Sequence, residues 1–318
     1  MALIERARFP RHRCGETLHP GVEGVLSELG VQAQVEAASF LHHEGIYVRW
    51  PGGGRFQAYG ADPGGCWRGV QACRAEFDEI LLDRAREAGT TVVQPCRALR
   101  PLQDADGSVA GVRTTAGNFT ARWTLDAAGA GHWLARCLGL SLERRSPRLI
   151  ARYGYVEGSL PALDRGPDLR LRGSGWTWAA QVAPGLTAWT CLDLDGNHES
   201  IGPPVQLATL RPRHPARGAD VSWRRLRKPG GPGYLALGDA AAVLDPASSH
   251  GVLRALISGI TAAAVIRAAP SPVPRLEQFA HFTRTWFEHD DRHLRALYGE
   301  LPAPPSWLAH TGHTRAAV

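Results

Sequence analysis

The chain has 318 residues, 44% of them hydrophobic, which is enough to bury the core of one large domain or of two closely packed ones. Its formal net charge of +6 comes almost entirely from arginine, because Lys228 is the only lysine. The basic residues are dispersed rather than interleaved with aromatic ones, which argues against nucleic-acid binding and is compatible with an acidic partner or an anionic cofactor.

Neither a membrane span nor a secretory leader is indicated. The sequence contains no run of about eighteen apolar residues, and the charged residues Glu5, Arg6 and Arg8 closely follow Met1. We therefore expect a cytoplasmic protein. The six cysteines are scattered without a Cys-x-x-Cys pair, which favours buried thiols over a zinc site or a disulfide framework.

The first residues have the pattern of a buried strand that ends in an acid. In a dinucleotide-binding βαβ unit this is where the ribose-binding carboxylate stands, so Glu5 is a ribose candidate. The strand and glycine-rich turn that normally come before it do not occur in this sequence. Those glycines let the backbone approach a pyrophosphate, and we expect a Rossmann-like domain without its first βα unit.

A loop and a helix come next, and then a hairpin. Arg13, in the loop, either contacts a phosphate or is simply part of a solvated basic loop. A helix is predicted between residues 20 and 30, where a glycine ends the pattern, and a β-hairpin from 39 to 60. Within the hairpin, His43 and Glu44 are residue types used for acid/base chemistry. The alternative is a strand histidine with satisfied hydrogen bonds and a solvated glutamate.

The middle of the chain alternates between helical and strand patterns. A helix is predicted from Val70 to Gly89, with Arg74 either directed at a phosphate or solvated. Short strands follow up to Asp126, then a helix over 133–138. Between 153 and 223 strand alternation predicts a second sheet, in which Trp176 and Trp178 share one face and either pack in the core or line a site.

The segment from 234 to 252 has the order strand, loop, helix. An apolar run ends in Gly238-Asp239, and a Ser-Ser-His-Gly turn precedes a helical pattern from 252 to 269. Such a junction can offer a carboxylate and free backbone N–H groups, which suit a ribose hydroxyl and an electron-rich ring or an anion. The alternative is an ordinary strand-to-helix turn. A further amphipathic helix is predicted from 276 to 301.

Six motifs in order along the chain resemble the FAD-dependent monooxygenases with a p-hydroxybenzoate-hydroxylase-like fold. Within that superfamily they are similar to the tryptophan-halogenase-like and geranylgeranyl-reductase-like branch. The motifs are Glu5-Arg6, residues 9–20, Arg74 with Phe77-Asp78, residues 126–129, residues 175–178 and residues 238–252. The resemblance implies an α/β fold in which a Rossmann-like FAD/NAD(P)-binding domain (1–38, 64–150 and 228–318) is interleaved with an antiparallel β-sheet substrate domain (39–63 and 151–227).

The resemblance also implies roles for individual residues. Glu5 would bind the adenosine ribose, Arg13 and Arg74 the pyrophosphate side, and the Ala98 backbone the adenine, with Arg6 as a further cofactor-binding candidate. Asp239 would lie near the ribityl and pyrophosphate region, and Pro246, Gly251 and Val252 near the isoalloxazine. Trp50, Trp176, Trp178 and Gln181 are the substrate-binding candidates. The acid/base candidates are His43, Glu44 and then His250.

Two departures bear on the reaction. Flavin halogenases that resemble this chain use a lysine in the strand where this chain has His43, and their WxWxIP motif is broken after Trp178. We therefore do not expect halogenation. The remaining expectation is an FAD-dependent monooxygenase that hydroxylates an aromatic, indole-like or phenolic group.

Several alternatives stay open at this point. The loop from Cys14 to Glu23 is similar to that of flavoproteins that mature cysteine-tryptophylquinone oxidases, which implies a protein-borne tryptophan as substrate. Other possibilities are a flavin-dependent alkene or polyprenyl reductase, or a truncated, inactive homologue that only binds a partner. The electron donor would be NAD(P)H or a partner reductase.

Overall fold

The computed structural model describes residues 1–11, 13–14, 16–195, 203–267 and 273–309. The chain divides into two compact units. Unit 1 comprises Met1–Arg11, Leu81–Arg145 and Trp223–Arg292, and unit 2 comprises His12–Ile80, Ser146–Ser222 and His293–Val318. No helix in the described ranges is long and apolar enough to cross a membrane.

The helices agree largely with the sequence pattern. They are α1 (Val22–Leu29), α2 (Gln32–Ala37), α3 (Arg74–Glu87), α4 (Trp133–Leu138), α5 (Gly251–Arg267) and α6 (Val273–Gly299). The predicted glycine stop of α1 is confirmed, because Gly30 has φ +69° and caps the helix through its N–H. The end of the helix predicted to reach residue 269 lies outside the described residues.

The strands are short and numerous. They are β1 (Ala2–Ile4), β2 (Glu16–Leu18), β3 (Leu41–His43), β4 (Gly45–Trp50), β5 (Gly53–Ala58), β6 (Ala61–Asp62), β7 (Gly65–Cys66), β8 (Gly69–Ala72), β9 (Thr91–Val93), β10 (Ala98–Gln103), β11 (Val109–Thr114), β12 (Gly117–Thr120), β13 (Thr124–Asp126), β14 (Leu142–Arg144), β15 (Ile150–Glu157), β16 (Asp168–Arg172), β17 (Gly175–Ala183), β18 (Leu186–Asp193), β19 (Arg211–Pro212), β20 (Arg217–Asp220), β21 (Arg224–Leu226), β22 (Gly230–Gly231), β23 (Tyr234–Ala236) and β24 (Ala242–Val243).

Unit 1 holds parallel strand pairs, as expected of a Rossmann-like domain. β1 pairs in parallel with β9, and β13 with β23. Leu235 of β23 is packed against α5 and α6 in a buried cluster with Ala262, Val265 and Phe279. Burial of these apolar side chains favours the packing of the helices on the strand and so positions the loop that follows β23.

Unit 2 is built on an eight-stranded sheet with the order β19-β15-β18-β17-β16-β4-β5, with β20 also pairing with β15. Its pairs are antiparallel except for β16 with β4. Alternate side chains enter two different clusters. Ala179 and Trp189 pack on one face, and Val182 and Ala188 pack on the other.

The structure differs from the sequence prediction around β8. Residues 70–72 are predicted as the start of a helix but form a strand between β2 and β3. This pairing brings residues 16–38 and 64–80 into unit 2, whereas the sequence places them in the flavin domain. The physical reason is that strand pairing depends on partners far away in sequence, which local periodicity does not report.

Candidate functional site

The strand-to-helix junction of unit 1 begins where β23 ends. The chain turns at Gly238, whose φ of +50° lies in the left-handed region, and its N–H donates to Ser258 Oγ of α5 at 3.0 Å. A Cβ at this position would lie 3.0 Å from Ala255 Cβ, so the close approach of turn and helix favours glycine. Asp239 follows with 48% of its side chain exposed.

Asp239 is the first member of a chain of polar side chains that we call the junction network (Asp239, Arg254, Asp290 and His250). Arg254 Nη2 donates to Asp239 Oδ1 at 3.2 Å, and Arg254 Nη1 lies 3.9 Å from Asp290 Oδ2. Asp290 Oδ1 lies 2.8 Å from His250 Nδ1. Asp290 is fully buried and Arg254 nearly so. The network therefore connects two partly exposed side chains through a buried ion pair.

Asp245 organises the loop that leads into α5. This buried carboxylate accepts from the Ala247 N–H at 3.0 Å and from the Trp223 indole N–H at 2.9 Å. The loop then reaches Gly251, the first residue of α5. The first N–H groups of an α-helix have no intrahelical acceptor, and the positive end of the helix dipole lies there. This end of α5 therefore favours negative charge beside Gly251 and Val252.

The predicted ribose carboxylate, Glu5, lies directly after β1. Its Oε2 accepts from Arg11 Nη1 at 2.9 Å, and 19% of its side chain is exposed. The Cys96 N–H donates to the Glu5 carbonyl at 2.7 Å, which holds the segment leading to Ala98 beside it. The ribose and adenine candidates thus lie near each other in unit 1, and their roles stay predictions.

Sequence reasoning missed a second buried polar group in unit 1. His132 has a left-handed φ of +46°, and its Nδ1 lies 2.8 Å from the carbonyl of Ala240, the residue after Asp239. Arg224 Nε donates to His132 Nε2 at 2.9 Å, so the ring proton is on Nδ1. Burial lowers the pKa of His132. The only sequence signal is a histidine after the small-residue run from Asp126 to Gly131.

In unit 2, His43 belongs to a buried hydrogen-bonded group that we call the His43 cluster (Thr17, His43, Tyr59 and Gln71). Tyr59 Oη lies 3.0 Å from His43 Nε2, and Gln71 Nε2 lies 3.2 Å and 3.3 Å from the two ring nitrogens. Gln71 also donates to Thr17 Oγ1. Burial lowers the pKa of His43 to about 4 and raises the pKa of Tyr59, so both are neutral at pH 7.

The His43 cluster leaves no room for a side chain at Gly69. A Cβ on Gly69 would lie 2.8 Å from Tyr59 Cε2 and 2.9 Å from His43 Nε2. We expect Gly69→Ala to lower the free energy of unfolding by about 1 to 3 kcal/mol, because the two rings must shift and lose their hydrogen bond. Urea titration measures this effect. Gly24→Ala in α1, where nothing lies within 4 Å, is the control, and equal losses in the two variants would contradict the prediction.

The structure does not bring Glu44 to His43. Glu44 stands between β3 and β4 with half of its side chain exposed, and its nearest ion-pair partner is Arg68 at 3.6 Å. His43 is 6% exposed and directed into its cluster. The Glu44 carboxylate is paired at the surface whereas the His43 ring is buried, so the predicted acid/base pair is not assembled. The pairing is corrected on that ground.

The substrate-binding candidates lie on the sheet of unit 2 in different environments. Trp176 is 2% exposed, and its indole N–H donates to Tyr298 Oη at 2.8 Å, so the prediction is corrected to a core residue. Trp178 is partly buried against the Val182 cluster. Trp50 at the end of β4 and Gln181 are partly buried, and their substrate contacts stay predictions.

The arginines predicted to bind the cofactor differ in their exposure. Arg74 donates to Asp78 Oδ1 at 2.8 Å and to Glu16 Oε2 at 3.0 Å. Arg13, in unit 2, and Arg6, in unit 1, are exposed. His12 and Gly15 of the same loop lie outside the described residues. The cofactor-binding roles of these arginines stay predictions.

No family model matches the chain. It is 27% identical over 309 residues to a tryptophan 2-halogenase of Chondromyces crocatus, covering 84% of this chain and 56% of that protein. It is 26% identical to a 1H-pyrrole-2-carbonyl-(peptidyl-carrier protein) brominase of Pseudoalteromonas luteoviolacea, covering 84% of this chain and 71% of that protein.

Solved structures give the fold. The myxobacterial chondrochloren halogenase CndH superposes with a TM-score of 0.84 at 23% identity, covering 96% of this chain and 79% of that one. The chain has the fold of flavin-dependent halogenases and FAD-dependent monooxygenases. The α/β fold class predicted from the sequence is thereby confirmed, and the similarity to halogenases supports FAD as the cofactor.

The expectation against halogenase chemistry is wrong. It rests on the missing lysine at residue 43 and on the broken tryptophan motif, yet the relatives include proteins named as tryptophan, pyrrole and other flavin-dependent halogenases. The missing lysine at residue 43 and the broken motif after Trp178 therefore do not distinguish this chain from proteins named as flavin-dependent halogenases. The chain spans 56% to 61% of the length of the first three curated relatives.

The residues of unit 1 fit the flavin and ribityl part of FAD. Asp239 offers an exposed carboxylate, and the start of α5 offers backbone N–H groups. Arg254 supports Asp239 from the interior and keeps two buried donors, Nε and Nη1, without a hydrogen bond in the described residues. Each of these groups is chemically complementary to ribityl hydroxyls or to the electron-rich edge of the ring.

Proposed function

We propose that the chain binds FAD and modifies an electron-rich aromatic ring. The junction of unit 1 carries this proposal, because it presents Asp239 and the start of α5 after the same strand. Asp239 accepts hydrogen bonds from the ribityl chain, and the Gly251 and Val252 N–H groups, after Pro246, stabilise negative charge on the ring system. When bound, FAD supplies the two-electron redox chemistry, and the protein supplies binding, orientation and exclusion of water.

In unit 2, we assign to His43 and Tyr59 the relay of the proton that leaves the modified ring. With a pKa of about 4, His43 is unprotonated at pH 7 but is a weak base. Its role in this assignment is therefore to orient the Tyr59 hydroxyl and not to remove a proton by itself. Glu44 has no part in this assignment, because its side chain is directed to the surface.

The ring modification is either halogenation or hydroxylation. Halogenation is supported by the curated relatives named as halogenases. Hydroxylation is kept as the second form because the chain also shares its fold with FAD-dependent monooxygenases. Both consume oxygen and two electrons per ring, and halogenation also consumes a halide ion. Omitting halide from the assay therefore distinguishes the two reactions, because only halogenation requires it.

The experiment supplies purified chain with FAD, NADH, a flavin reductase and indole or phenol, in buffers with chloride, with bromide, or without halide. Mass spectrometry of the product shows either a gained oxygen atom or a halogen in place of hydrogen. Reduction of an isoprenoid alkene without oxygen consumption would indicate the reductase alternative. A protein that leaves FAD fluorescence unchanged would contradict the proposal.

Asp239→Ala tests the flavin assignment directly. Loss of the carboxylate removes acceptors for the ribityl hydroxyls, and we expect the FAD dissociation constant to rise about tenfold. Quenching of FAD fluorescence measures it. Asp83→Ala is the control, because Asp83 is an exposed carboxylate that pairs with Arg86 on α3. Equal affinities in both variants would exclude Asp239 from the site.

The substrate of the proposed reaction is either free or carried by a protein. The brominase relative is named for a ring on a peptidyl carrier protein, which supports the second form. Comparing free pyrrole-2-carboxylate with the same ring on a carrier protein distinguishes them. Replacing the reductase with NADH or NADPH alone tests whether the chain takes its electrons directly or needs a partner reductase.

A further inference from the structure

Two arginines stand side by side on neighbouring strands of the unit 2 sheet. Arg49 of β4 and Arg170 of β16 are register partners across the parallel pair that these strands form. Both donate to Asp168: Arg49 Nε to Oδ1 at 3.0 Å, and Arg170 Nε and Nη2 to Oδ2 at 2.9 Å and 2.7 Å. Asp168 is buried, whereas the arginine side chains are 38% and 37% exposed. One buried carboxylate therefore holds two guanidinium groups that solvent reaches.

The charges of this group do not balance. Two like charges on neighbouring strands repel each other, and Asp168 offsets only one of them. Within the described residues, neither Arg49 nor Arg170 has another carboxylate at ion-pair distance. In the same part of the chain, both Nη atoms of Arg49 and the Nη1 atom of Arg170 have no hydrogen-bond acceptor. One positive charge and several N–H donors are thus available to an external group.

Two aromatic rings adjoin the arginine pair. Arg49 Cζ lies 5.0 Å from the centroid of the Tyr47 ring, and the Phe56 ring of β5 lies 5.0 Å from Tyr47 at an interplanar angle of 53°. Tyr47 is the register partner of Phe56 on one side and of Asp168 on the other. The rings and the arginines therefore occupy adjacent rows on the same face of the sheet. Phe56 is 43% exposed on an edge strand, so a ligand can reach its ring.

Gly54 leaves space next to the arginine pair. It is the register partner of Arg49 on β5, and a Cβ at this position would lie 3.2 Å from Arg49 Cγ. A side chain at Gly54 would press on Arg49 and cover the adjoining surface. Its absence keeps the Arg49 guanidinium open from the edge of the sheet.

The chemistry of these groups indicates the class of ligand. Guanidinium groups present paired N–H donors that match the two oxygens of a carboxylate. Arg49, Arg170 and Asp168 together carry one positive charge, which matches the single negative charge of that group. The neighbouring rings offer a surface on which another flat ring can stack or meet them edge-on. An aromatic carboxylate combines both features.

We propose that Arg49 and Arg170 bind the carboxylate of a small aromatic ligand, whose ring packs against Tyr47 and Phe56. The site lies entirely within unit 2. It goes beyond the proposed function, because no group of FAD and no step of the ring modification is part of it. The two can therefore be tested separately.

The test uses 4-fluorobenzoate and 4-fluorobenzamide with the full chain, observed by ¹⁹F NMR of the ligand with FAD left out. The probes share a ring and differ in charge. We expect 4-fluorobenzoate to bind about tenfold more tightly than the amide, because only the carboxylate accepts charge-assisted hydrogen bonds from both arginines. Equal affinities for the two probes would overturn the proposal.

Competition tests the contribution of the rings. Acetate carries the same charge as benzoate but has no ring. We expect acetate to displace 4-fluorobenzoate only at about fivefold higher concentration than benzoate does, because it gains no contact with Tyr47 or Phe56. Displacement at equal concentrations would overturn the assignment of an aromatic ligand.

Variants locate the site. Arg49→Gln and Arg170→Gln should each weaken binding of 4-fluorobenzoate about tenfold and leave the amide unchanged, a change in ratio that a loss of stability alone does not produce. Phe56→Ala should weaken both probes about fivefold, and Gly54→Leu should block 4-fluorobenzoate by covering Arg49. Arg211→Gln is the control, because Arg211 of β19 lies on the same sheet, is 84% exposed and is 3.9 Å from Glu157.

The outcomes distinguish this site from the proposed function. Unchanged binding of 4-fluorobenzoate in Arg49→Gln and Arg170→Gln would overturn the site. An equal loss in Arg211→Gln would also overturn it, because the probe would then respond only to the overall positive charge. A chain that binds FAD but does not discriminate between the probes contradicts this site alone. A chain that binds 4-fluorobenzoate as expected but not FAD contradicts the proposed function and leaves the site standing.

Discussion

Lowering the pH from 7.5 to 3.5 should cost the folded protein about 3 kcal/mol through His43 alone. Burial, with a smaller contribution from the neighbouring His42, lowers the pKa of His43 from 6.5 to about 4. Above pH 6.5 the ring is neutral in both the folded and the unfolded chain. Between pH 6.5 and 4 only the unfolded chain takes up the proton, so stability falls as pH falls, and below pH 4 the loss is complete.

Urea titrations at a series of pH values measure this effect. Because carboxylates also titrate in acid, the relevant quantity is the difference between the natural chain and His43→Gln, which keeps a polar side chain but lacks the ionisation. His293→Gln is the control, because His293 is exposed in the same unit. If His43→Gln has the same pH slope as the natural chain, the buried, neutral state of His43 is refuted.

Replacing Arg254 with leucine should lower the free energy of unfolding by about 3 kcal/mol, because it leaves the fully buried Asp290 without its nearest cation. The double variant Arg254→Leu, Asp290→Leu removes both buried charges, and we expect it to be more stable than Arg254→Leu. Urea or thermal unfolding of the four members of this cycle gives the coupling energy.

The control for this cycle is an ion pair of the same kind at the surface. Arg68→Leu removes the partner of Glu44, a pair whose side chains are 61% and 50% exposed, and should cost less than about 1 kcal/mol. Similar losses for Arg254→Leu and Arg68→Leu would mean that burial contributes little to the Arg254 pair. Additive effects in the double variant would mean that Arg254 and Asp290 are not coupled.

The sequence by itself determines the local elements around the site. The apolar run before Gly238-Asp239 and the helical patterns of α5 and α6 depend on neighbouring residues alone, and the strand-to-helix order is found where it is predicted. The same holds for Glu5 directly after β1 and for the glycine that ends α1. Hydrophobic periodicity and turn residues report these features because both act over only a few positions.

Only the tertiary structure decides which polar side chains meet. His250 and Asp290 are 40 positions apart, and His132 and Arg224 are 92 apart, so no local pattern links them. The same limit explains why Glu44, adjacent to His43 in sequence, is not its partner, whereas Gln71 is. Helix and strand periods fix the direction of a side chain relative to its own element, but the partner it finds depends on how distant elements pack.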